Sequence, residues 1–285
     1  MQLNTEHQEL IDQLIRLALR EDIGDGDHTS LACVQSEVMQ KARLLVKENG
    51  ILSGVTIAQR VAEMVDKDLT FDIRLNDGAT IQKGDVAFYI EGSARSILTA
   101  ERLMLNIMQR MSGIATNTHR LVDLVKHTGV SLLDTRKTGP GMRVMEKLAV
   151  SHGGGKNHRM GLYDMVMIKD NHADYAGGVV QAIRNVKSYL QSNHLKLDIE
   201  VESRNLNEVQ LILEEGGVRR IMFDNFTPDL IREALKITKN EVETEASGGI
   251  NEQNLIEYAE TGVDFISIGA LTHQVKSLDL SLKAC

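Results

Sequence analysis

Basic side chains are concentrated in one short part of an otherwise acidic chain. The members of this group all lie within residues 136–172, whereas the 285-residue chain has a net charge of −8. The group consists of Arg136, Lys137, Arg143, Lys147, Lys156, His158, Arg159, Lys169 and His172. Guanidinium and ammonium groups bind carboxylates and phosphates. The cluster therefore predicts a site for a small ligand that carries several negative charges.

A charge run can also be the solvated face of a helix, which is its most common role. Arg143 and Lys147 are four residues apart on a helix-like stretch, so we interpret them in that way. Arg136, Lys137 and Lys169 instead follow apolar, strand-like runs. We expect these three to bind the ligand.

Six apolar runs of strand length alternate with helical stretches in the second part of the chain. The runs cover 130–134, 165–169, 197–202, 220–224, 242–247 and 265–269. One helix is expected to begin near Ala176, and another covers Leu206–Glu215. The last three runs recur about every 22 residues, which is typical of β/α units, and no Gly-x-Gly-x-x-Gly follows any of them. The pattern predicts an α/β fold with a β/α barrel over residues 116–285.

Polar residues or glycines end each of these six runs. The endings are 134–137, 169–172, 200–202, 224–225, 247–249 and 269–270. In a β/α barrel all carboxyl ends of the strands converge on one mouth, where active sites lie. The glycine-rich endings after the last two strands favour a phosphate site, because their backbone N–H groups are accessible. The acidic residues Glu200, Glu202 and Asp224 could balance charge, bind Mg²⁺ on a diphosphate, or bind sugar hydroxyls.

A glycine-rich run over residues 152–159, HGGGKNHR, lies between the first two strands. It differs from the nucleoside-triphosphate loop, because Asn157 follows Lys156 where that loop needs Ser or Thr. We interpret the run as a loop that closes over the mouth when substrate binds.

Residues 1–115 have a different pattern, which predicts an α+β domain of the open β-sandwich type. Thr5 and Gln8 have the spacing of a capping box at the start of a first helix. Short β-like segments follow from Lys41 to Gly92, and a helix is expected from about Ser96 to about Met111. We expect the C-terminal tail to join this domain.

Composition excludes several classes of function. No apolar run approaches 18 residues, so no membrane association is expected. The acidic balance repels nucleic acid. Cys33 and Cys285 have no metal-ligand spacing, the histidines form no zinc pattern, and the N-terminus lacks the features of a secretory signal. A cytoplasmic protein is the resulting expectation.

Several strings are more specific than these patterns. They are ERLMLNIMQRMSGIAT, LLDTRKTGPGMR, GGGKNHRMGLYDMVMIKDNH, MFDN, EASGGI and ISIGALTH, with EDIGDGDHTS near the start. In this order they resemble the motifs of quinolinate phosphoribosyltransferases. The resemblance implies transfer of phosphoribose from phosphoribosyl pyrophosphate to quinolinate, which gives nicotinate mononucleotide, CO₂ and pyrophosphate with Mg²⁺ as cofactor. It also implies a homodimer and an incomplete barrel.

The resemblance further implies roles for the residues that match the motifs. Lys137, Lys169, Glu202 and Asp224 are the expected catalytic residues. Lys169 would lie between quinolinate and the diphosphate. Glu202 and Asp224 would bind ribose hydroxyls and Mg²⁺, the latter directly or through the diphosphate. The quinolinate carboxylates would be bound by the segment Thr135, Arg136 and Lys137, by His158 and Arg159, and by Arg102 of the partner subunit. The 5′-phosphate would be bound by Ser247, Gly248 and Gly249 and by Ile268, Gly269 and Ala270.

Three alternatives remain open from the sequence. A related enzyme transfers phosphoribose to nicotinate, which has one carboxylate, although the number of clustered cations favours two. A relative with a role in metal-oxyanion transport and a non-catalytic anion-binding barrel are the others. Turnover with quinolinate or with nicotinate distinguishes them.

Overall fold

The computed structural model describes residues 3–285, which fold as two compact units. The first unit contains the chain up to Arg120 together with Thr138–Gly154 and Leu271–Cys285. The second contains Leu121–Lys137 and Gly155–Ala270. The chain therefore leaves the second unit after Lys137, returns to it at Gly155, and leaves it again after Ala270.

Helices and strands alternate along most of the chain. In chain order they are α1 (Thr5–Ile23), α2 (His28–Cys33), β1 (Met39–Val46), β2 (Gly50–Ile51), α3 (Val55–Val65), β3 (Thr70–Ile73), β4 (Thr80–Ile81), β5 (Val86–Ser93), α4 (Ala94–Val125), β6 (Ser131–Leu133), α5 (Arg143–His152), β7 (Val166–Ile168), α6 (Asp170–Ala176), α7 (Val179–Ser192), β8 (Ile199–Ser203), α8 (Leu206–Glu215), β9 (Arg220–Asp224), α9 (Pro228–Thr238), β10 (Glu243–Ser247), α10 (Leu255–Ala259), β11 (Phe265–Ser267), α11 (Ala270–His273) and β12 (Leu280–Ala284). Within the described residues, no helix is both long and apolar enough to cross a bilayer.

The first unit contains an antiparallel sheet in the order β12-β1-β5-β3 and a separate ladder of β2 with β4. Ala42, Leu44 and Val46 alternate on the buried face of β1, as expected for a strand with one face on a core. The C-terminal strand β12 pairs with β1 in a register that places Leu282 opposite Leu44. The tail thus completes the sheet of this unit.

Two helices of this unit differ from the sequence prediction. The cap of α1 is Asn4 rather than Thr5, because the Asn4 side chain accepts the N–H of His7 at 2.8 Å. Helix α4 was expected to end near Met111 but continues to Val125. A glycine usually weakens a helix, yet Gly113 lies inside α4 because a Cβ there would contact the backbone oxygen of Lys276. The apolar repeat then continues through Ile114 and Leu121, which are buried.

The second unit is built on a parallel six-stranded sheet in the order β6-β11-β10-β9-β8-β7. All six predicted strands are present, within two residues of their expected starts and ends. Strands β6 and β7 form the two edges of the sheet, which confirms the incomplete barrel. The chain between β6 and β7 includes Thr138–Gly154, which belongs to the first unit. The helix in this connection, α5, is therefore part of the first unit and not of the second.

One further expectation was wrong. Lys147 does not lie on a solvated face, since it is fully buried on α5, whose other buried residues include Glu146. The Glu146 carboxylate lies 2.6 Å from the Arg110 guanidinium, which brings charge into the interior of the unit. The helix expected to begin near Ala176 is present as α7, which begins at Val179. A short helix that was not predicted, α6, precedes it, and Gly177 and Gly178, with φ values of 89° and 123°, separate the two helices.

Candidate active site

The carboxyl ends of β7 and β8 place a lysine beside a glutamate. Lys169 directly follows β7, and its Nζ lies 3.3 Å from Oε1 of Glu202 near the end of β8. The N–H of Asp170 donates to the other oxygen of Glu202 at 3.2 Å. Lys169 is half exposed, whereas the Glu202 side chain is 9% exposed. A ligand can therefore reach this pair through the exposed ammonium group of Lys169.

The ends of β9 and β10 meet next to this pair in the sheet. Asp224 and Ser247 are opposite one another in the ladder, and the N–H of Asn225 donates to the Ser247 carbonyl at 2.9 Å. Gly248 has a φ of 96°, and a Cβ at this position would collide with Oδ1 of Asn225. Only glycine fits here, and its backbone is accessible to a bound anion.

The end of β11 lies beside β10 and β6. Ser267 donates from its hydroxyl to that of Ser247 at 3.0 Å, and the N–H of Ile268 donates to the Leu133 carbonyl at 3.0 Å. Ile268 is buried, while Gly269 and Ala270 are partly exposed. The two predicted phosphate segments, 247–249 and 268–270, therefore follow neighbouring strands.

Two arginines of the predicted carboxylate site, Arg136 and Arg159, have their positive charges close together. The hydroxyl of Thr135 accepts the N–H of Lys137 at 3.0 Å, which turns the chain after β6. Arg136 and Lys137 are exposed, and the Arg159 side chain is half-buried. Burial, and then the nearby positive charge of Arg136, lower the pKa of Arg159. An anion bound between the two guanidinium groups would relieve both effects.

The glycine-rich run 152–159 is attached to the protein at successive residues. Gly153 packs so closely that a Cβ would meet the Ala115 carbonyl. Lys156 donates its N–H to Leu132 at 2.8 Å and accepts the N–H of Asp134 at 3.2 Å. These bonds fix the end of the run to β6. Closure of this loop over the mouth when substrate binds stays a prediction.

A network of charged side chains lies beneath the strand ends. His158 Nε2 is 3.1 Å from an oxygen of Glu200 on β8 and 3.5 Å from an oxygen of Glu245 on β10. The Arg220 guanidinium, from β9 between them, lies 2.9 Å from Glu245 and 3.8 Å from Glu200. Glu200 and Glu245 are completely buried. We refer to His158, Glu200, Arg220 and Glu245 as the buried network.

The two carboxylates determine how the buried network binds protons. Burial lowers the pKa of His158, but the hydrogen bonds to Glu200 and Glu245 outweigh it and raise that pKa to about 9. Burial also raises the pKa of Glu200, whereas the contacts with His158 and Arg220 lower that of Glu245 despite its burial. His158 Nδ1 accepts the N–H of Arg159 at 2.7 Å, and a proton on this nitrogen would displace that bond. The additional proton is therefore held among Nε2, Glu200 and Glu245, and Nδ1 stays unprotonated while it accepts the Arg159 N–H.

The donor atoms of His158, Glu200 and Glu245 lie within 4.8 Å of one another, which is a spacing that metal sites also show. Arg220 already provides a cation to the same carboxylates, so we interpret the group as an ion network. The carboxylates that the resemblance assigns to Mg²⁺ are Glu202 and Asp224. These carboxylates end neighbouring strands near the partly exposed edge and offer the hard oxygen ligands that Mg²⁺ prefers.

The structure places most predicted site residues at one edge of the second unit. Arg102 is exposed on α4 in the first unit, and His158 is buried with both ring nitrogens bonded to protein atoms. Sequence reasoning missed the roles of Asp134, Arg220 and Glu245. A detectable signal was present, since acidic residues alternate along β10 at positions that strands of a barrel usually fill with apolar side chains.

An open parallel barrel, with arginines, lysines and carboxylates at its strand ends and glycine turns after its last strands, defines an anion-binding barrel enzyme. Models of two domain families match the chain. Residues 27–112 match the N-terminal domain of quinolinate phosphoribosyl transferase and residues 114–283 its C-terminal domain. The chain belongs to the quinolinate phosphoribosyltransferase family.

Individual relatives agree with this assignment. The chain is 45% identical to quinolinate phosphoribosyltransferase [decarboxylating] 1b of Nicotiana tabacum, over 95% of this chain and 81% of the relative. It is 39% identical to the probable nicotinate-nucleotide pyrophosphorylase [carboxylating] of Bacillus subtilis, over 95% and 92%. The solved nicotinate-nucleotide pyrophosphorylase of Francisella tularensis is similar with a TM-score of 0.91 and 39% identity, over 97% and 96% of the two chains.

Proposed function

We propose that this chain transfers phosphoribose from phosphoribosyl pyrophosphate to quinolinate, with loss of CO₂, in the synthesis of nicotinate mononucleotide for NAD. Family membership supports the reaction class. The observation that carries the substrate is the pairing of Arg136 with the half-buried Arg159, because two adjacent guanidinium groups suit a ligand with two carboxylates.

The residues at the edge have the charges that this reaction needs. The bond from the ribose carbon to pyrophosphate breaks, and the pyridine nitrogen forms a bond to that carbon. Carboxylates of Glu202 and Asp224 stabilise positive charge that develops on the ribose, and Lys169 stabilises the departing negative charge. The carboxylate beside the ring nitrogen then leaves as CO₂, and the ring carbon takes up a proton. Orientation and fixed charge supply the catalysis, and no covalent enzyme intermediate is required.

Glu202 and Asp224 are the residues that we propose for Mg²⁺, in direct contact or through the diphosphate. A bound Mg²⁺ neutralises charge on the pyrophosphate leaving group. Lys137 completes the set of proposed catalytic residues. Ser247 and Gly248, with the backbone of Gly249 and of residues 268–270, would bind the 5′-phosphate through N–H groups.

Turnover tests this function directly. The protein is incubated with Mg²⁺, phosphoribosyl pyrophosphate and either quinolinate or nicotinate, and the mononucleotide is detected by mass. We expect product and CO₂ from quinolinate and little product from nicotinate. Efficient use of nicotinate alone would contradict the assignment and would favour a one-carboxylate acceptor.

We also propose a homodimer in which Arg102 of the partner subunit completes each site. The exposure of Arg102 supports this, together with the exposed apolar side chain of Leu98 one turn earlier on α4. An Arg102→Ala protein mixed with a Lys137→Ala protein should regain about a quarter of normal activity. Half of the random dimers are hybrids, and each hybrid contains one undamaged site. Absence of recovery, with hybrids shown by mass, would place Arg102 elsewhere.

The cytoplasm is the compartment that we propose. Cys33 and Cys285 are exposed and do not form a disulfide, which fits a reducing environment. The similar protein of Arabidopsis thaliana is described as chloroplastic, so fractionation of the source cells is the deciding measurement.

A further inference from the structure

The segment Asn157–His158–Arg159 carries one of the proposed carboxylate-binding arginines and has two anchors. The first is Asp134, at the end of β6. Its two oxygens accept the N–H of His158 at 2.9 Å and the side-chain amide of Asn157 at 2.6 Å. This anchor fixes the backbone before Arg159, but Arg159 itself needs a second one.

The second anchor is the His158 ring. Nε2 faces the carboxylates of Glu200 and Glu245, and Nδ1 accepts the backbone N–H of Arg159. The side chain is 5% exposed. A carboxylate of the substrate could bind this ring only if one of these internal contacts were broken. The resemblance assigns direct substrate contact to His158, and the geometry points to a different role.

We propose that Glu200 and Glu245 are positioning residues for Arg159 and act through His158. The two glutamates are on β8 and β10, so each is fixed by the ladder of a central strand. They hold the ring with Nε2 protonated toward them. The opposite nitrogen then faces the Arg159 N–H as an acceptor and fixes the backbone from which the guanidinium extends.

This support is needed because, without a bound anion, the surroundings of Arg159 are unfavourable for its positive charge. Its guanidinium is half-buried and close to the positive charge of Arg136, and the Met165 carbonyl accepts one of its N–H groups at 3.1 Å. Repulsion between like charges would move a loosely held side chain toward solvent. The negative charge of Glu200 opposes this movement as well.

A pair of matched variants tests this proposal, which rests on the proposed function. Glu243 and Glu245 are both on β10, and both contact Arg220, but only Glu245 reaches His158. We expect Glu245→Gln to raise KM for quinolinate, and the dissociation constant for the unreactive dicarboxylate phthalate, roughly tenfold. KM for phosphoribosyl pyrophosphate should change by less than about twofold, and Glu243→Gln should leave all three constants near wild type.

The ring itself supplies a measurement that does not depend on turnover. In ¹⁵N spectra of histidine-labelled protein, wild type and Glu243→Gln should show His158 protonated at Nε2 and unprotonated at Nδ1. Glu245→Gln should show a mixture of the two tautomers. If the wild-type protein makes no mononucleotide, the proposed function is wrong. Phthalate binding and these spectra would still test the positioning role, because neither measurement requires turnover.

Two results with Glu245→Gln would overturn the proposal. One is unchanged phthalate affinity in a folded Glu245→Gln protein, and the other is an unchanged His158 spectrum in that protein. A buried substitution can prevent folding, so Glu200→Gln serves as the second variant, because it removes the other carboxylate from the same nitrogen. Equal weakening of both substrates in either variant would indicate a purely structural role and would also contradict us.

Discussion

Two glutamates on one strand illustrate two different uses of charge. Glu202, near the end of β8, contacts Lys169, whose side chain is 45% exposed. Glu200 lies two residues earlier on the same strand, fully buried between His158 and Arg220. Water and ligands can replace the partner of Glu202 at low cost. The partners of Glu200 are not replaceable, because a lone charge in the interior is strongly destabilising. We therefore expect the residues at the edge to take part in the reaction, and the buried network to fix the positions of the residues around it.

The largest effect on activity is expected at the edge. Lys169→Met removes the positive charge proposed to stabilise the departing pyrophosphate. We expect kcat/KM to fall about 10³-fold, as for the loss of one fixed charge or donor in a preorganised site. Steady-state kinetics with quinolinate measure this loss.

Stability is the control for that variant. Because Lys169 is half exposed, the free energy of unfolding in urea should change by less than about 1 kcal/mol. A large loss of stability with little loss of activity would reverse the comparison and assign the structural role to the edge pair.

The largest effect on stability is expected in the buried network. Arg220→Met leaves Glu200 and Glu245 without their guanidinium partner, which should lower the free energy of unfolding by about 3 kcal/mol. Arg219→Met is the matched control, because this neighbouring arginine contacts Glu243 and Asp198 at the surface. Its effect should stay below about 1 kcal/mol. Equal effects of the two variants would mean that burial does not distinguish the two regions.

The sequence predicted the six strands of the second unit well because each is a short apolar run with a polar ending. It failed for α5, where charged residues at helical spacing suggested a solvated face. Lys147 is buried because residues 138–154 pack in the first unit and not in the barrel. The local sequence pattern does not show to which unit a segment belongs. Local periodicity determines elements, whereas the burial of a charge depends on distant partners.

The candidate site shows the same division. Residues at strand ends could be found from their position after apolar runs, as with Lys169 and Asp224. Glu245 could not be found in this way, because its role depends on His158. His158 is far from Glu245 in the sequence and lies in the connection between β6 and β7. A charged residue inside a barrel strand is the signal, but its partner has to be seen in three dimensions.

Stability should also depend on pH through the buried network. The pKa of His158 is raised from 6.5 to about 9 in the folded protein. The folded state therefore holds the proton more tightly than the unfolded state, and the resulting stabilisation is complete below pH 6.5 and disappears as the pH rises through 9. We expect a loss of about 3 kcal/mol over this range in urea titrations. His158→Gln should remove this part of the pH dependence, and an unchanged slope would show that the network holds no such proton.

The smallest effect tests the glycine turn after β10, where edge and interior meet. Gly248 has a φ of 96° and no room for a Cβ beside Asn225, whereas Gly249 has a φ of 63° and open space around it. Gly248→Ala should therefore raise KM for phosphoribosyl pyrophosphate about tenfold, because the backbone proposed to bind the phosphate must shift. Gly249→Ala carries only the cost of a left-handed alanine, about 1 kcal/mol of stability, with a smaller change in KM. If both variants raised KM for phosphoribosyl pyrophosphate equally, the left-handed backbone conformation that the two glycines share, and not the contact with Asn225, would determine how this segment binds phosphate.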